Sequence, residues 1–456
     1  MPGSRCNPGR AAAHDRLAAE AVRYPDFGLD PLDTGRAPER DAALGHAVYD
    51  AAVRRWLTIS FLAGLHLRQK WNDLEPGVLG ALLGGGAQLL FFDRIPPHSA
   101  IDEAVEWSKR AVNPRAGGLV NAVLRKINST VPRSQDEAQT KRETWTNARD
   151  ELPLADGRAL VLSSELLPPD ELRRVAVATG IPLWQIRQWA DEFGIDDALH
   201  IARHTIASAP TIIYAPLGIP ALADDLPTLE PHDSPVHRVF TGLRSELVGL
   251  LADAPQLWVQ DPTASAAVMA LGDAPAEVVV DLCAGRGTKT RQLLAQYPEA
   301  QIIACEVNAP RLEDLRQLAQ TANGRLRVCR PEQAVEELRG RCDLVVADVP
   351  CSNSGVLARR IEARHRCSPR QVARLADQQR EIVGLGVSLL APGRRLLYST
   401  CSLEFDENRA IAEWAGRALG LILESEHPRL PAGGPGRPAS EYQDGGYAVV
   451  LRSPGG

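Results

Sequence analysis

The sequence predicts an α/β chain whose C-terminal part is an open, mixed seven-stranded sheet, preceded by an all-α domain and a small mixed α/β domain. Three observations carry this. From about residue 256 onward, short apolar runs alternate with helical patterns, as in a sheet covered by helices on both faces. Over 41–130, apolar residues recur at helical spacing, and between these regions 158–255 mixes the two patterns. The length, 456 residues, allows about three domains at ~150 residues each.

Residues 1–40, rich in Ala, Arg, Pro and Asp without a sustained period, are expected to form a loose tail. In 41–130, Val48, Ala52, Trp56 and Ile59 keep helical spacing, as do Val78, Leu82 and Leu89–Leu90. Breaks at Ile95–His98 and Gly117–Gly118 leave roughly five helices, the last two over Ala100–Val112 and Leu119–Ile127. Residues 131–157 read as a linker, since 129–150 are polar and nearly free of aliphatics. In 158–255, helices are expected over Trp184–Phe193 and Asp196–Ile206 and a strand within Pro210–Pro216, and the Pro- and Asp-rich stretch 219–235 reads as long loops. In 256–456, strands are expected at Val278–Leu282, Ile302–Glu306, Leu326–Cys329, Leu344–Asp348, Arg395–Ser399, Leu421–Glu424 and Tyr447–Leu451. The clearest helix is Pro369–Leu390, where Val372, Leu375, Gln379, Ile382, Val383, Val387 and Leu390 keep the 3–4 spacing. No helix fits between the last two strands, which predicts an antiparallel edge. There is no internal repeat.

Composition narrows the function. Hydrophobic content of 44% and charged content of 24% exclude wholesale disorder. No apolar run reaches the ~18–20 residues of a membrane helix, and the first 25 residues lack the apolar core of a secretory signal, so no membrane partner and a cytoplasmic location are expected. The eight cysteines form neither a close-spaced disulfide framework nor paired metal-ligand spacing, and no metal is expected. A net charge of −6 argues against a protein that is basic all over, while leaving room for a local basic surface. Only five of the 51 basic residues are lysines.

Two kinds of loop carry chemistry. VVVDLCAGRGTKT (278–290) reads as a buried strand, a glycine loop and a helix start, with Asp281 at the strand end and small residues that let a ligand approach the backbone. Glu306 ends the next strand, where a carboxylate can accept both ribose hydroxyls; its other reading is a helix cap. A nucleoside-containing cofactor follows, and spacing alone fits a nicotinamide cofactor and S-adenosylmethionine equally. Cys351 and Cys401 then follow the fourth and fifth strands, whose carboxyl ends face one crevice, so the two thiols are expected near the cofactor and near each other. Cys6, Cys283, Cys305, Cys329, Cys342 and Cys367 read as small buried hydrophobes.

DLCAGRGTKT, DVPCSNSGV (348–356) and YSTCSLEFDEN (398–408) resemble the signature motifs of the Sun/Nop family of RNA 5-methylcytosine methyltransferases. RIPPHSAIDEAVE (94–106) and GLVNAVLRKI (118–127) resemble the NusB-like, RNA-binding domain that precedes the enzyme domain in the family's bacterial small-subunit rRNA branch. The resemblance implies a Rossmann-like methyltransferase domain over 256–456, S-adenosyl-L-methionine as cofactor, and 16S rRNA as substrate, with an unpaired or flipped-out cytidine as target, no DNA partner and a monomeric enzyme. It makes Cys401 the nucleophile on cytosine carbon 6, Cys351 the group that helps remove the carbon 5 proton, and Asp348 the residue at the N3 edge and close to the cofactor. The loop Cys283, Ala284, Gly285, Arg286, Gly287, Thr288 and Lys289 would wrap the methionine end, Glu306 the ribose, Glu332 the adenine side, and Arg311 would follow the ribose acid.

The chain departs from the family pattern in places. The first loop reads Gly285-Arg286-Gly287-Thr288-Lys289 where the family has Ala-Pro-Gly-Gly-Lys, so Thr288 would be strained if its position needed a positive φ. Phe405-Asp406-Glu407-Asn408 keeps only the last two residues of Pro-Glu-Glu-Asn, and His365 stands where the family often has tryptophan. For RNA affinity the composition offers Arg359–Arg380, with seven arginines against two acids, whereas 41–130 holds ten basic and eight acidic residues, a weak excess. The rival readings are a tRNA 5-methylcytosine methyltransferase, a non-catalytic RNA-binding protein with a decayed enzyme domain, and a dehydrogenase; the last leaves the paired cysteine loops unexplained.

Overall fold

The computed structural model describes residues 6–132, 140–216 and 228–455, so part of the expected tail, linker and long loop (1–5, 133–139 and 219–227) lies outside the described residues. The chain divides into two compact units: Met1–Ser208 with Leu357–Arg366 and Gly434–Gly436, and Ala209–Val356 with Cys367–Gly433 and Arg437–Gly456. The boundary at 208 falls inside the expected domain 158–255, which is divided between the two units.

The first unit begins with α1 (Pro8–Arg23), α2 (Glu39–Arg54), α3 (Trp56–Gly64), α4 (Pro76–Phe91), α5 (Pro97–Ala111) and α6 (Ala116–Ser129). The loose-tail expectation is corrected here. Asn7 caps α1 by accepting from the Arg10 N–H, Pro8 sits at its first turn, and Ala13 and Leu17 are wholly buried. A Cβ on Gly80 of α4 would stand 2.8 Å from the backbone of His14 and Ala18, so glycine lets α1 lie against α4. Gly117 and Gly118, read as a break, lie inside α6; the break is at 112–115, where the Asn113 side chain accepts from the N–H groups of Arg115 and Ala116. The linker expectation is also corrected. β1 (Lys141–Arg142), β2 (Glu151–Pro153) and β3 (Ala159–Val161) form an antiparallel sheet in the order β1-β3-β2, pinned by the buried Glu151, which accepts from Thr146 N–H and pairs with Arg142. α7 (Glu171–Thr179), α8 (Leu183–Phe193) and α9 (Ile195–His204) follow.

The second unit opens with β4 (Thr211–Tyr214), β5 (Leu229–Pro231), β6 (His237–Phe240), α10 (Arg244–Asp253) and β7 (Trp258–Val259), an antiparallel sheet in the order β5-β6-β4-β7. β5 lies where the sequence read only loop. Then come α11 (Pro262–Met269), β8 (Val278–Asp281), α12 (Thr288–Gln296), β9 (Gln301–Cys305), α13 (Ala309–Gln320), β10 (Leu326–Cys329), α14 (Pro331–Leu338), β11 (Cys342–Asp348), α15 (Ala363–Arg366, in the first unit), α16 (Pro369–Leu389), β12 (Leu390–Thr400), α17 (Arg409–Leu419), β13 (Ile422–Arg429) and β14 (Gly446–Arg452). The large sheet has the order β10-β9-β8-β11-β12-β14-β13. β8 to β12 pair in parallel, and β14 runs antiparallel to both neighbours, so the antiparallel strand stands one place in from the edge rather than at it. Alternation along each strand fills two cores. Val280, Ile303, Val345 and Tyr398 pack with Val383 of α16 and Ile411 of α17, while Val279, Ile302, Val346 and Leu397 pack with Val268 of α11, Leu293 of α12 and Leu315 of α13. Among the described residues no helix is long and apolar enough to cross a membrane.

The excursion Leu357–Arg366 brings a fully buried arginine into the first unit. Arg364 donates to the carbonyls of Arg54, Thr179 and Thr205, at the C-terminal ends of α2, α7 and α9, and to Leu357 and Ile361. Carbonyls at helix ends lack intrahelical partners and carry the negative end of the helix dipole, so three helix ends hold this cation without a carboxylate among these bonds. Burial still pushes its pKa well below the usual arginine range. Beside it His365 Nε2 lies 2.8 Å from the Val53 carbonyl and its ring packs against Phe27 and Trp56. The expected basic stretch Arg359–Arg380 is therefore corrected: it divides between the units after Arg366, and Arg364 is unavailable to phosphate. Arg364→Ala leaves these carbonyls unpaired and is expected to cost on the order of 3 kcal/mol, read as a lower Tm for the transition of the first unit, with Arg364→Lys failing to restore it. A Tm within a degree or two of wild type would show that the carbonyls find other donors.

Candidate active site

Strand order reverses between β8 and β11, and ligands of open α/β sheets bind at the carboxyl ends of the strands where this happens. The first loop, between β8 and α12, puts its positive φ values on Gly285 (+57°) and Gly287 (+88°). Thr288 is the first residue of α12 and has no positive φ, so the strain raised for it does not arise. A Cβ on Gly287 would press on Leu315 and Leu318, whereas one on Gly285 would meet nothing closer than 4.0 Å, which leaves open space over the backbone. Ala284 is tied to β9 through its N–H on the Cys305 carbonyl. Cys283 is half-buried, and burial raises its thiol pKa strongly. Arg286 points outward and pairs loosely with Asp314 at 3.5 Å.

Beneath this loop Asp281 is fully buried. Thr290 Oγ donates to its Oδ2 at 2.7 Å, Oδ1 has no partner, and burial pushes its pKa up to about 7. Glu306, just past β9, accepts from the N–H groups of Val307 and Asn308, while Asn308, not Glu306, caps α13. Its second oxygen lies 3.7 Å from Arg311. Glu332 is exposed in the first turn of α14, at the end of β10 and one strand out from Glu306. A glycine loop with open space, a helix N-terminus and an unpartnered buried carboxylate oxygen fit the amino-acid end of S-adenosylmethionine.

The other candidates converge on the ends of β11 and β12. Asp348 lies opposite Ser399 in the ladder; its Oδ1 accepts from Ser399 Oγ at 2.8 Å and its Oδ2 lies 2.8 Å from Lys289 Nζ. Burial opposes the Lys289 charge, but Asp348 outweighs it and, with Cys401 and Asp281, raises its pKa, so Lys289 stays an ammonium. Beyond Asp348 the Sγ atoms of Cys351 and Cys401 are 3.3 Å apart and both residues are partly exposed. Contact with Cys401 first, and burial second, push the Cys351 pKa well up. Asn353, itself at φ +62°, donates to the Cys351 carbonyl and lies 3.3 Å from Cys401 Sγ through its Oδ1. Gly355 donates to the Cys401 carbonyl at 2.9 Å, and a Cβ there would come within 2.9 Å of that oxygen, so only glycine fits this approach.

Thus Lys289, Asp348, Cys351 and Cys401 meet, Glu306 and Arg311 meet, and Arg286 and Glu332 stand at the rim. Asn353, Gln379, Tyr398 and the serines after each cysteine were given no role from sequence. For Glu407 the signal was its survival in a motif that had lost its first two residues.

Residues 268–418 match the 16S rRNA methyltransferase RsmB/F family, and residues 15–129 match the NusB family. The ribosomal RNA small subunit methyltransferase B of Xanthomonas campestris is 28% identical over 462 residues, covering 98% of this chain and 91% of that one. The protein of the same name in Vibrio cholerae is 29% identical over 379 residues, covering 80% and 79%. Among solved structures, PH0851 has the same fold, with a TM-score of 0.71 at 18% identity, over 99% of this chain and 100% of that one. The chain is an S-adenosylmethionine-dependent RNA methyltransferase whose catalytic domain is similar to the RsmB/F family and whose N-terminal helical domain is similar to the NusB family.

Proposed function

We propose that this enzyme methylates carbon 5 of an unpaired or flipped-out cytidine in 16S rRNA, acting as a cytoplasmic monomer through a covalent bond between Cys401 and carbon 6 of the base. The observation that carries the covalent step is the pair of part-exposed sulfurs 3.3 Å apart, at the carboxyl ends of neighbouring parallel strands and beside the Lys289–Asp348 pair. The choice of RNA rests on the small-subunit rRNA relatives.

Carbon 5 of cytosine is a poor nucleophile, and a thiolate adding to carbon 6 turns the ring into an enamine that is a good one. Cys351, with its pKa raised, is the sulfur that keeps its proton before addition, and the attack is assigned to Cys401. The Lys289 ammonium, held charged by Asp348, lies within electrostatic reach of Cys401. S-Adenosylmethionine, when bound, supplies an electrophilic methyl group. Cys351, after giving its own proton to solvent, takes the carbon 5 proton as a thiolate, and the electron pair of the broken C–H bond forms the ring double bond and expels Cys401 as a thiolate. Asp348 serves the N3 edge of the base. Cys283–Lys289, Glu306 braced by Arg311, and Glu332 on the adenine side hold the cofactor. Arg360, Arg370 and Arg374, exposed in the basic stretch, are available to phosphate.

Bisulfite sequencing of rRNA and tRNA from cells with and without the gene should show one 16S cytidine losing its protection; a change confined to tRNA would move the substrate assignment. Cys401→Ala should abolish methylation in vitro, and residual activity at the wild-type rate would reject the covalent route. Cys351→Ala should accumulate an enzyme–RNA adduct that survives a denaturing gel, because addition proceeds and release does not.

A further inference from the structure

We infer that Glu407 is the positioning residue that holds the two thiol loops in register. Its carboxylate is buried between them. On one side Ser352, which follows Cys351, donates its N–H to Oε1 at 2.9 Å and its hydroxyl to Oε2 at 2.5 Å. On the other, Ser402, which follows Cys401, donates its hydroxyl to Oε2 at 2.6 Å. Gln379 of α16 adds a fourth bond at 3.1 Å, and the same amide nitrogen donates to the Pro350 carbonyl, which fixes the residue before Cys351, while its oxygen accepts from Tyr398 OH. Tyr398 OH, donating to the Glu407 carbonyl at 2.5 Å, fixes the backbone of the turn to β12.

One carboxylate thus takes donors from the residue after each cysteine, and all of these donors are neutral. A carboxylate accepts without donating, so serine hydroxyls on both sides can point at it together. In Glu407→Gln one oxygen position becomes an NH2: with the amide oxygen kept under the two hydroxyls, that NH2 faces the Ser352 N–H and the Gln379 amide, donor against donor, and the Cys351 side must turn away. The two Sγ atoms, one residue from the clamp on each loop, then separate, and a misplacement of about 1 Å near a reacting group can cost about a hundredfold in rate. Neither the glycine loop nor Glu306 touches Glu407 through these bonds, so cofactor binding is separate from the effect.

This inference rests on the reading of Cys351 and Cys401 as the reacting pair, and the test separates the two. In glutathione buffers of set ratio, peptide mapping gives the equilibrium between the Cys351/Cys401 dithiol and its disulfide, in which two thiols reduce one glutathione disulfide. That equilibrium reports thiol spacing without methylation, because the sulfurs must close from 3.3 Å to about 2.05 Å. Glu407→Gln should lower the disulfide equilibrium constant by about tenfold or more and kcat by about ten- to a hundredfold, with KM for S-adenosylmethionine within about twofold of wild type. Asp406→Asn, exposed and outside the clamp, should leave the equilibrium unchanged. If Glu407→Gln does not fold, the double variant Ser352→Ala/Ser402→Ala, which strips the hydroxyl donors and keeps the carboxylate, must move both readouts in the same direction. An unchanged thiol equilibrium in the folded variant overturns the inference. A shifted equilibrium supports it even if Cys401→Ala still methylates RNA, in which case the covalent route alone fails.

Discussion

Two thiols come within 3.3 Å in this protein because the strands that deliver them are hydrogen-bonded neighbours in parallel register, with Asp348 opposite Ser399. Parallel neighbours end on the same side of a sheet, so residues shortly past each end share a crevice whatever the distance between them in the chain. Fifty residues, including the whole of α16, separate Cys351 from Cys401, yet the ladder brings them together. The same ladder places Asp348 where it meets Ser399 on one oxygen and Lys289 on the other, and Lys289 comes from α12, behind the next strand over. Shifting β12 by one residue against β11 would turn every side chain of β12 to the opposite face, which is why the register is fixed by two apolar cores rather than by the site itself.

The crevice is acidic at its floor and rim, with Asp281 and Asp348 around one lysine and Glu306 beside Arg311. Burial of Asp281 favours its protonated form near neutral pH, which limits repulsion with Asp348, and Lys289 offsets the charge that remains. The cationic sulfonium and ammonium of S-adenosylmethionine suit such a surrounding, and a nucleic acid does not. The phosphate-facing charge therefore has to come from elsewhere on the enzyme domain, and the exposed Arg370 and Arg374 of α16 are of the right sign.

The large sheet was legible because its strands are short apolar runs between helices, and every one of the seven was placed within a few residues, though β12 and β13 run several residues further than the apolar pattern. The thiols were legible because each follows a strand. Three features were not. α1 packs through Ala13, Leu17 and glycine contacts rather than through a stripe of large aliphatics, so its buried face reads as a polar, Ala-rich tail. The β1–β3 sheet takes its order from the buried, hydrogen-bonded Glu151, which a composition count assigns to solvent. Glu407 has the same character: a carboxylate six residues past a cysteine says nothing by itself, and only the folded turn shows that it faces two serines from separate strand ends.

Arginine makes the charge of this chain a poor guide to its surfaces. Arg364 gives its donors to backbone carbonyls, and so do Arg55, through Ala178 and Pro153, and Arg54, through Thr205 and Ala358. Five N–H groups in a rigid plane can satisfy several helix ends at once, which an ammonium on a flexible stem cannot do. In the first unit the guanidinium group acts as a structural ligand for carbonyls that would otherwise be buried unpaired, and its charge is met by aligned peptide dipoles. Arg55, wholly enclosed, has its pKa pulled down to about 9 by burial and by Arg54, yet even there it stays protonated at neutral pH. The excess of seven arginines over two acids in Arg359–Arg380 thus combines two uses of one residue type, with Arg364 holding the fold and Arg360, Arg370 and Arg374 left to solvent.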